Sequence, residues 1–87
     1  MTLEFPNRSR SFDEARDAVR FIGHDGMFEV PFFVETAALH RAVTTSQTET
    51  DFLTAFDAAR SSIHDIARKA YSRARRPSYT LTVADFR

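Results

Sequence analysis

The chain has 87 residues, twelve basic and twelve acidic, with nine Phe among its hydrophobic residues and no Cys. That length makes one domain with a small core, and the balanced charge gives no global field toward nucleic acid or an anionic membrane. The missing Cys excludes disulfides, thiol catalysis and thiolate metal sites. The opening MTLEFPNRSR carries no apolar run of a signal peptide, and no segment approaches about 18 consecutive apolar residues. The expectation is a soluble cytoplasmic domain.

In chain order, Leu3 and Phe5 alternate with polar neighbours until Pro6, which predicts a short strand over 2–5. The polar stretch after it offers a capping box, Ser11 with Glu14, but no apolar stripe. It predicts one helical turn at most, with Phe12 as an anchor and Asp13 within reach of Arg16.

Residues 19–34, VRFIGHDGMFEVPFFV, read as a hairpin with strands near 18–23 and 27–34. A two-residue type I′ turn at Asp25-Gly26 opposes His24 to Met27, Phe21 to Val30 and Val19 to Phe32. One face then collects Val19, Phe21, Phe28, Val30, Phe32 and Val34. The other collects Arg20, Ile22, His24, Met27, Glu29, Pro31 and Phe33. A three-residue turn scrambles both faces, because side chains alternate with a period of two, so the two-residue turn is preferred. His24-Asp25 is then explained by chain reversal, with His24 a solvated turn residue.

Thr36 heads a predicted short helix over 36–43. After the polar TTSQTET, Thr48 and Asp51 form a second capping box. Phe52, Phe56, Ala59, Ile63, Ile66 and Ala70 then follow at helical spacing, widened by Leu53, Ala67, Tyr71 and Ala74. This predicts a helix over 49–75, roughly 38 Å long if straight, with a bend near Ser61-Ser62. Tyr79, Leu81 and Val83 alternate with Thr80, Thr82 and Ala84, predicting a strand over 79–84.

The order of elements implies an α+β fold: a small antiparallel or mixed sheet of about four strands with two helices packed on one face. The candidate core is Phe21, Phe28, Val30, Phe32, Leu39, Phe52, Phe56, Ile63, Ile66, Leu81 and Val83.

Motifs that would carry chemistry are lacking. His24, His40 and His64 show no metal-ligand spacing, and the carboxylates show no EF-hand order. There is no GxSxG, and the two glycines, both in the hairpin, make no phosphate-cradling loop. No catalytic, cofactor-binding or metal-binding residue is assigned, and no cofactor or small-molecule substrate is inferred. The run RKAYSRARR over 68–76 holds five basic residues, Arg68, Lys69, Arg73, Arg75 and Arg76. They form either a nucleic-acid patch or cations that complement a helix C-terminus, and the neutral total favours the second.

The stretches SFDEARDAVRFIGHDGMFEVPFFVETAAL, FDAARSSIHDIARKAY and SYTLTVADF resemble a small bacterial domain-of-unknown-function family, number 1488. The likeness runs from about Leu3 to Phe86 and rests on Phe12-Asp13, on Val19 and Phe21, on the Gly-bounded turn and on the last strand. The resemblance implies a compact α+β protein and no activity, cofactor or catalytic residue. For function, a small non-catalytic interaction or self-associating domain is favoured, docking through Ile22, Met27, Pro31 and Phe33 on the outer hairpin face. In the competing reading of that face, residues 6–16 fold back and Phe12 covers it. The alternatives for the protein as a whole are a weak nucleic-acid module using the basic helix end and a small hydrolase with a site at His24 and Asp25.

Overall fold

The structure is a computed structural model that describes residues 3–6, 9–39 and 48–86. It is a four-stranded mixed sheet with helices on one face. The strands are β1 (Arg10–Asp13), β2 (Ala18–Asp25), β3 (Phe28–Glu35) and β4 (Tyr79–Leu81), in that spatial order. The helices are α1 (Thr36–Leu39), α2 (Glu49–Ala58) and α3 (Arg60–Arg73). Strands β1, β2 and β3 are antiparallel, whereas β4 joins β3 in parallel after the chain has crossed over through the helices. Among the described residues no helix is long and apolar enough to cross a membrane.

The hairpin turn lies one residue beyond its expected place. Gly26-Met27 are the loop, so Asp25 opposes Phe28, Gly23 opposes Val30 and Phe21 opposes Phe32. Gly26 has φ +63° while Met27 stays out of the left-handed region, as a type II′ turn requires and a type I′ turn does not. Moving a two-residue turn by one position shifts every cross-strand pair by two, so each side chain keeps the face it was assigned. The correction brings Phe21 onto Phe32, rings stacked at 5.3 Å. It also puts Gly23 where a Cβ would meet Leu3 Cδ1 at 2.9 Å and Phe5 Cε1 at 3.0 Å.

The segment expected as one helical turn is instead β1 followed by a turn over 14–17. Phe12 opposes Val19, which turns it to the helix-covered face, where it stacks on Phe52 at 6.0 Å. Asp13 does reach Arg16, accepting its backbone N–H at 3.2 Å. Of the strand expected over 2–5, residues 3–5 make a single bridge, Glu4 with His24, and Thr2 lies outside the described residues. Around that bridge Leu3 is buried, and Phe5 stacks on His64 at 3.9 Å with the Arg68 guanidinium 5.2 Å from its ring centre. His64 is half-buried by this contact.

The Thr48 capping box is present, with Thr48 Oγ1 accepting from Asp51 N–H and Asp51 accepting from Thr48 N–H. The expected long helix is two helices that meet at Ala59 (φ −106°, ψ 14°), just before Ser61-Ser62. Arg10 clamps this junction to β1. Its guanidinium donates to both Asp57 carboxylate oxygens (3.1 and 2.9 Å), and Arg60 donates to the same carboxylate at 2.6 Å. The first predicted helix is seen as Thr36–Leu39; positions 40–43, His40 included, lie outside the described residues.

The core joins Val19, Phe21, Phe32 and Val34 of the sheet to Phe52, Phe56, Ile63 and Leu81. Three expected core residues differ. Phe28 is 76% exposed, Ile66 is half-buried at the edge of the stripe, and Val83 is half-buried because residues 83–86 form a 3-10 turn instead of continuing β4.

Candidate binding surface

The hairpin tip and the C-terminal end of α3 meet, although the sequence separates them by more than forty residues. The Tyr71 hydroxyl donates to the Asp25 carboxylate, a short contact that ties the last turn of α3 to the last ladder residue of β2. This contact holds the Tyr71 hydroxyl proton more tightly and raises its pKa above the ordinary tyrosine value; burial adds to the rise, and Arg75 opposes it. The Arg75 guanidinium lies 5.1 Å from the Tyr71 ring centre. The hydroxyl of Tyr79 closes the helix end, donating to Ala74 O and accepting from Arg76 N–H at 3.0 Å. It satisfies terminal backbone groups that water would otherwise have to meet.

Around this junction the surface is hollowed. Phe28, Glu29, Val30, Tyr71, Arg75, Arg76 and Pro77 line a concavity of about 400 Å3. Met27 projects at the turn, 97% exposed, next to Phe28. Phe28 belongs to the core-facing side of β3 but stands past the end of α3, so no helix covers it.

The residues expected as one outer-face patch do not form one. Phe33 is buried, with the Arg16 guanidinium 4.1 Å above its ring. Ile22 and Pro31 oppose each other and are half-buried. Only Met27 is fully open. Within the stretch 6–16, of which 7 and 8 lie outside the described residues, Arg10–Asp13 form an edge strand whose following turn lays Arg16, not Phe12, over that face.

The five basic residues differ in their engagement. Arg68 donates to Leu3 O at 3.2 Å and pairs with Asp65 at 3.3 Å. Lys69, Arg73 and Arg76 are exposed. The side chains of His24 and Asp25 point to opposite faces of β2, as neighbours on a strand do. Asp25 turns to Tyr71, while His24 lies across from Glu29 and exchanges both backbone hydrogen bonds with Glu4 (2.7 and 2.8 Å). Among the described residues no three His, Asp or Glu side chains group as a metal cage would require.

Comparison with known families decides membership. The chain belongs to the family described as Protein of unknown function (DUF1488), whose model matches residues 3–83. The crystal structure of a DUF1488 protein of unknown function from Shewanella loihica PV-4 has a TM-score of 0.78 to this chain at 15% identity. The match covers 93% of this chain and 94% of that one. No curated protein matches. At that identity the likeness shows a shared fold, so the functional argument rests on this chain's own residues.

Proposed function

We propose that this DUF1488 member is a non-catalytic cytoplasmic interaction domain whose working surface is the hairpin tip against the end of α3. The observation that carries the reading is the exposed Phe28 beside Arg75 and Arg76 in one concavity, with the exposed Met27 next to it in the chain. An apolar anchor inside a polar, charged rim is how protein interfaces are built. On this reading the partner is a peptide segment with one large apolar residue to meet Phe28, flanked by carboxylates to meet Arg75 and Arg76. Nucleic acid is the weaker reading. Its cations would have to act together along an extended phosphate backbone, but the carboxylates of Asp25, Glu29 and Asp65 stand among them.

Fluorescence anisotropy on labelled peptides tests this, using a Met-Phe or Leu-Phe anchor flanked by Asp and Glu against Lys-flanked and scrambled controls. The acidic peptides should bind preferentially, and Phe28→Ser or Arg76→Glu should each weaken binding about tenfold, roughly 1.4 kcal/mol. Equal binding of acidic and Lys-flanked peptides refutes it. So does tighter binding to a short DNA duplex with a steep salt dependence, or a concentration-dependent dimer mass that Phe28→Ser abolishes.

A further inference from the structure

A second hollow, of about 460 Å3, shares Tyr71 and Arg75 with the tip surface but opens toward the N-terminal segment. Its other lining residues are Leu3, Arg68, Ser72, Arg73 and Ala74. That volume lies within the range of about 300–1,000 Å3 in which small ligands are held. Its floor is apolar, since Leu3 is 5% exposed beneath it. Three of its lining side chains are guanidiniums and none is a carboxylate.

The nearest acids act from outside the lining. Asp65 pairs with Arg68, and Asp25 accepts the Tyr71 proton. Both contacts fix the lining in place: Arg68 is held between Asp65 and Leu3 O, and Tyr71 cannot swing away from the hairpin. The Ser72 hydroxyl donates to Lys69 O, one turn back along α3, and its oxygen can still accept. The remaining α3 carbonyls contribute about half a negative charge, less than the guanidiniums oppose to it. Guanidinium groups suit planar or tetrahedral oxyanions because they donate from a rigid fork.

We propose that this hollow binds a small organic anion, an apolar or aromatic body carrying one phosphate or carboxylate group. The body rests on Leu3 and the Tyr71 ring, and the oxyanion meets Arg68 and Arg73. The site overlaps the peptide surface at Tyr71 and Arg75 and differs from it in Leu3, Arg68, Ser72 and Arg73, which do not line that surface.

Amide-resolved NMR titration tests it with phenyl phosphate and benzoate as probes, and with inorganic phosphate and phenol as their separated halves. Saturable shifts are expected at Leu3 and over residues 68–75, with a Kd of about 1 mM or tighter for one of the two whole anions. Whichever anion binds tighter names the oxyanion. Each half should bind about tenfold more weakly. Arg73→Gln should weaken the whole anion about tenfold, Ser72→Phe should block it by filling the hollow, and Lys69→Gln, outside the lining, should leave it unchanged. These residues are exposed, so the variants keep the wild-type spectrum elsewhere. The proposal is overturned if neither anion saturates, if inorganic phosphate binds as tightly as phenyl phosphate, or if Lys69→Gln weakens binding as much as Arg73→Gln.

Discussion

Phe32 and Phe28 lie on the same face of the same strand, four residues apart, yet Phe32 is fully buried and Phe28 is 76% exposed. Around Phe32 the sheet is complete: β4 pairs on one side, β2 on the other, and β1 extends it as far as Phe21. Helices α2 and α3 close that half with Phe56 and Ile63, neither of which has any exposure. Toward Phe28 the neighbours run out. β1 has ended at Arg10, β4 begins only opposite Phe32, and α3 finishes beside Asp25. What continues is a two-stranded ribbon, a form that is marginal alone in water. The Glu4–His24 bridge and the Tyr71–Asp25 hydrogen bond hold it. The alternation of side chains is the same at both ends. What differs is whether another element reaches across.

The contrast is open to measurement. Phe56→Ala should cost about 3–5 kcal/mol in denaturant unfolding, a large share of the stability of a domain this size, whereas Phe28→Ala should change it by less than about 0.5 kcal/mol. Comparable losses would mean that the tip is core. Gly23→Ala should cost about 1–3 kcal/mol, because the new methyl meets the rings of Phe5 and Phe32 at 3.0 and 3.1 Å. Hydrogen exchange should then quicken at the Glu4 and His24 amides, since Leu3 and Phe5 can yield more easily than Phe32. Gly26→Ala meets no atom within 4 Å, yet its φ of +63° should cost about 1–2 kcal/mol, confined to the turn.

Tyr71→Phe should leave global unfolding almost unchanged while speeding amide exchange over residues 25–28. In the wild type, Tyr71 has a raised folded pKa. Its tether therefore contributes fully below the ordinary value of about 10 and is lost as pH rises through the raised one. An alkaline NMR titration of the Tyr71 ring should show ionisation later than for a free tyrosine, and Asp25→Asn should bring it back. A second pH-dependent contact is the clamp at Ala59. Hydrogen bonds from Arg10, then from Arg60, lower the Asp57 pKa despite some burial. The clamp therefore contributes above the ordinary carboxylate value of about 3.9 and is lost as pH falls through the depressed one. Because these side chains are 33% and 41% exposed, Asp57→Asn should cost no more than about 1 kcal/mol at neutral pH and should flatten the acid limb of the stability curve.

Much of this architecture is written locally. The period of two sorted the hairpin into its faces, and those faces survived a turn displaced by one residue. The Thr48–Asp51 cap and the stripe through Phe52, Phe56 and Ile63 follow from spacings of three and four, which depend only on near neighbours. The candidate surfaces were only half visible: the run 68–76 announced its charge, and Met27 its exposure. Nothing in residues 10–13 announced an edge strand, since Arg10 to Asp13 gain their ladder only from β2. Likewise the parallel docking of β4, the break at Ala59, the burial of Phe33 under Arg16 and the meeting of Asp25 with Tyr71 each need two segments far apart in the chain. Local sequence determines which way a side chain points. Whether anything stands there to receive it is decided when distant elements pack, because burial is a property of the neighbours that arrive.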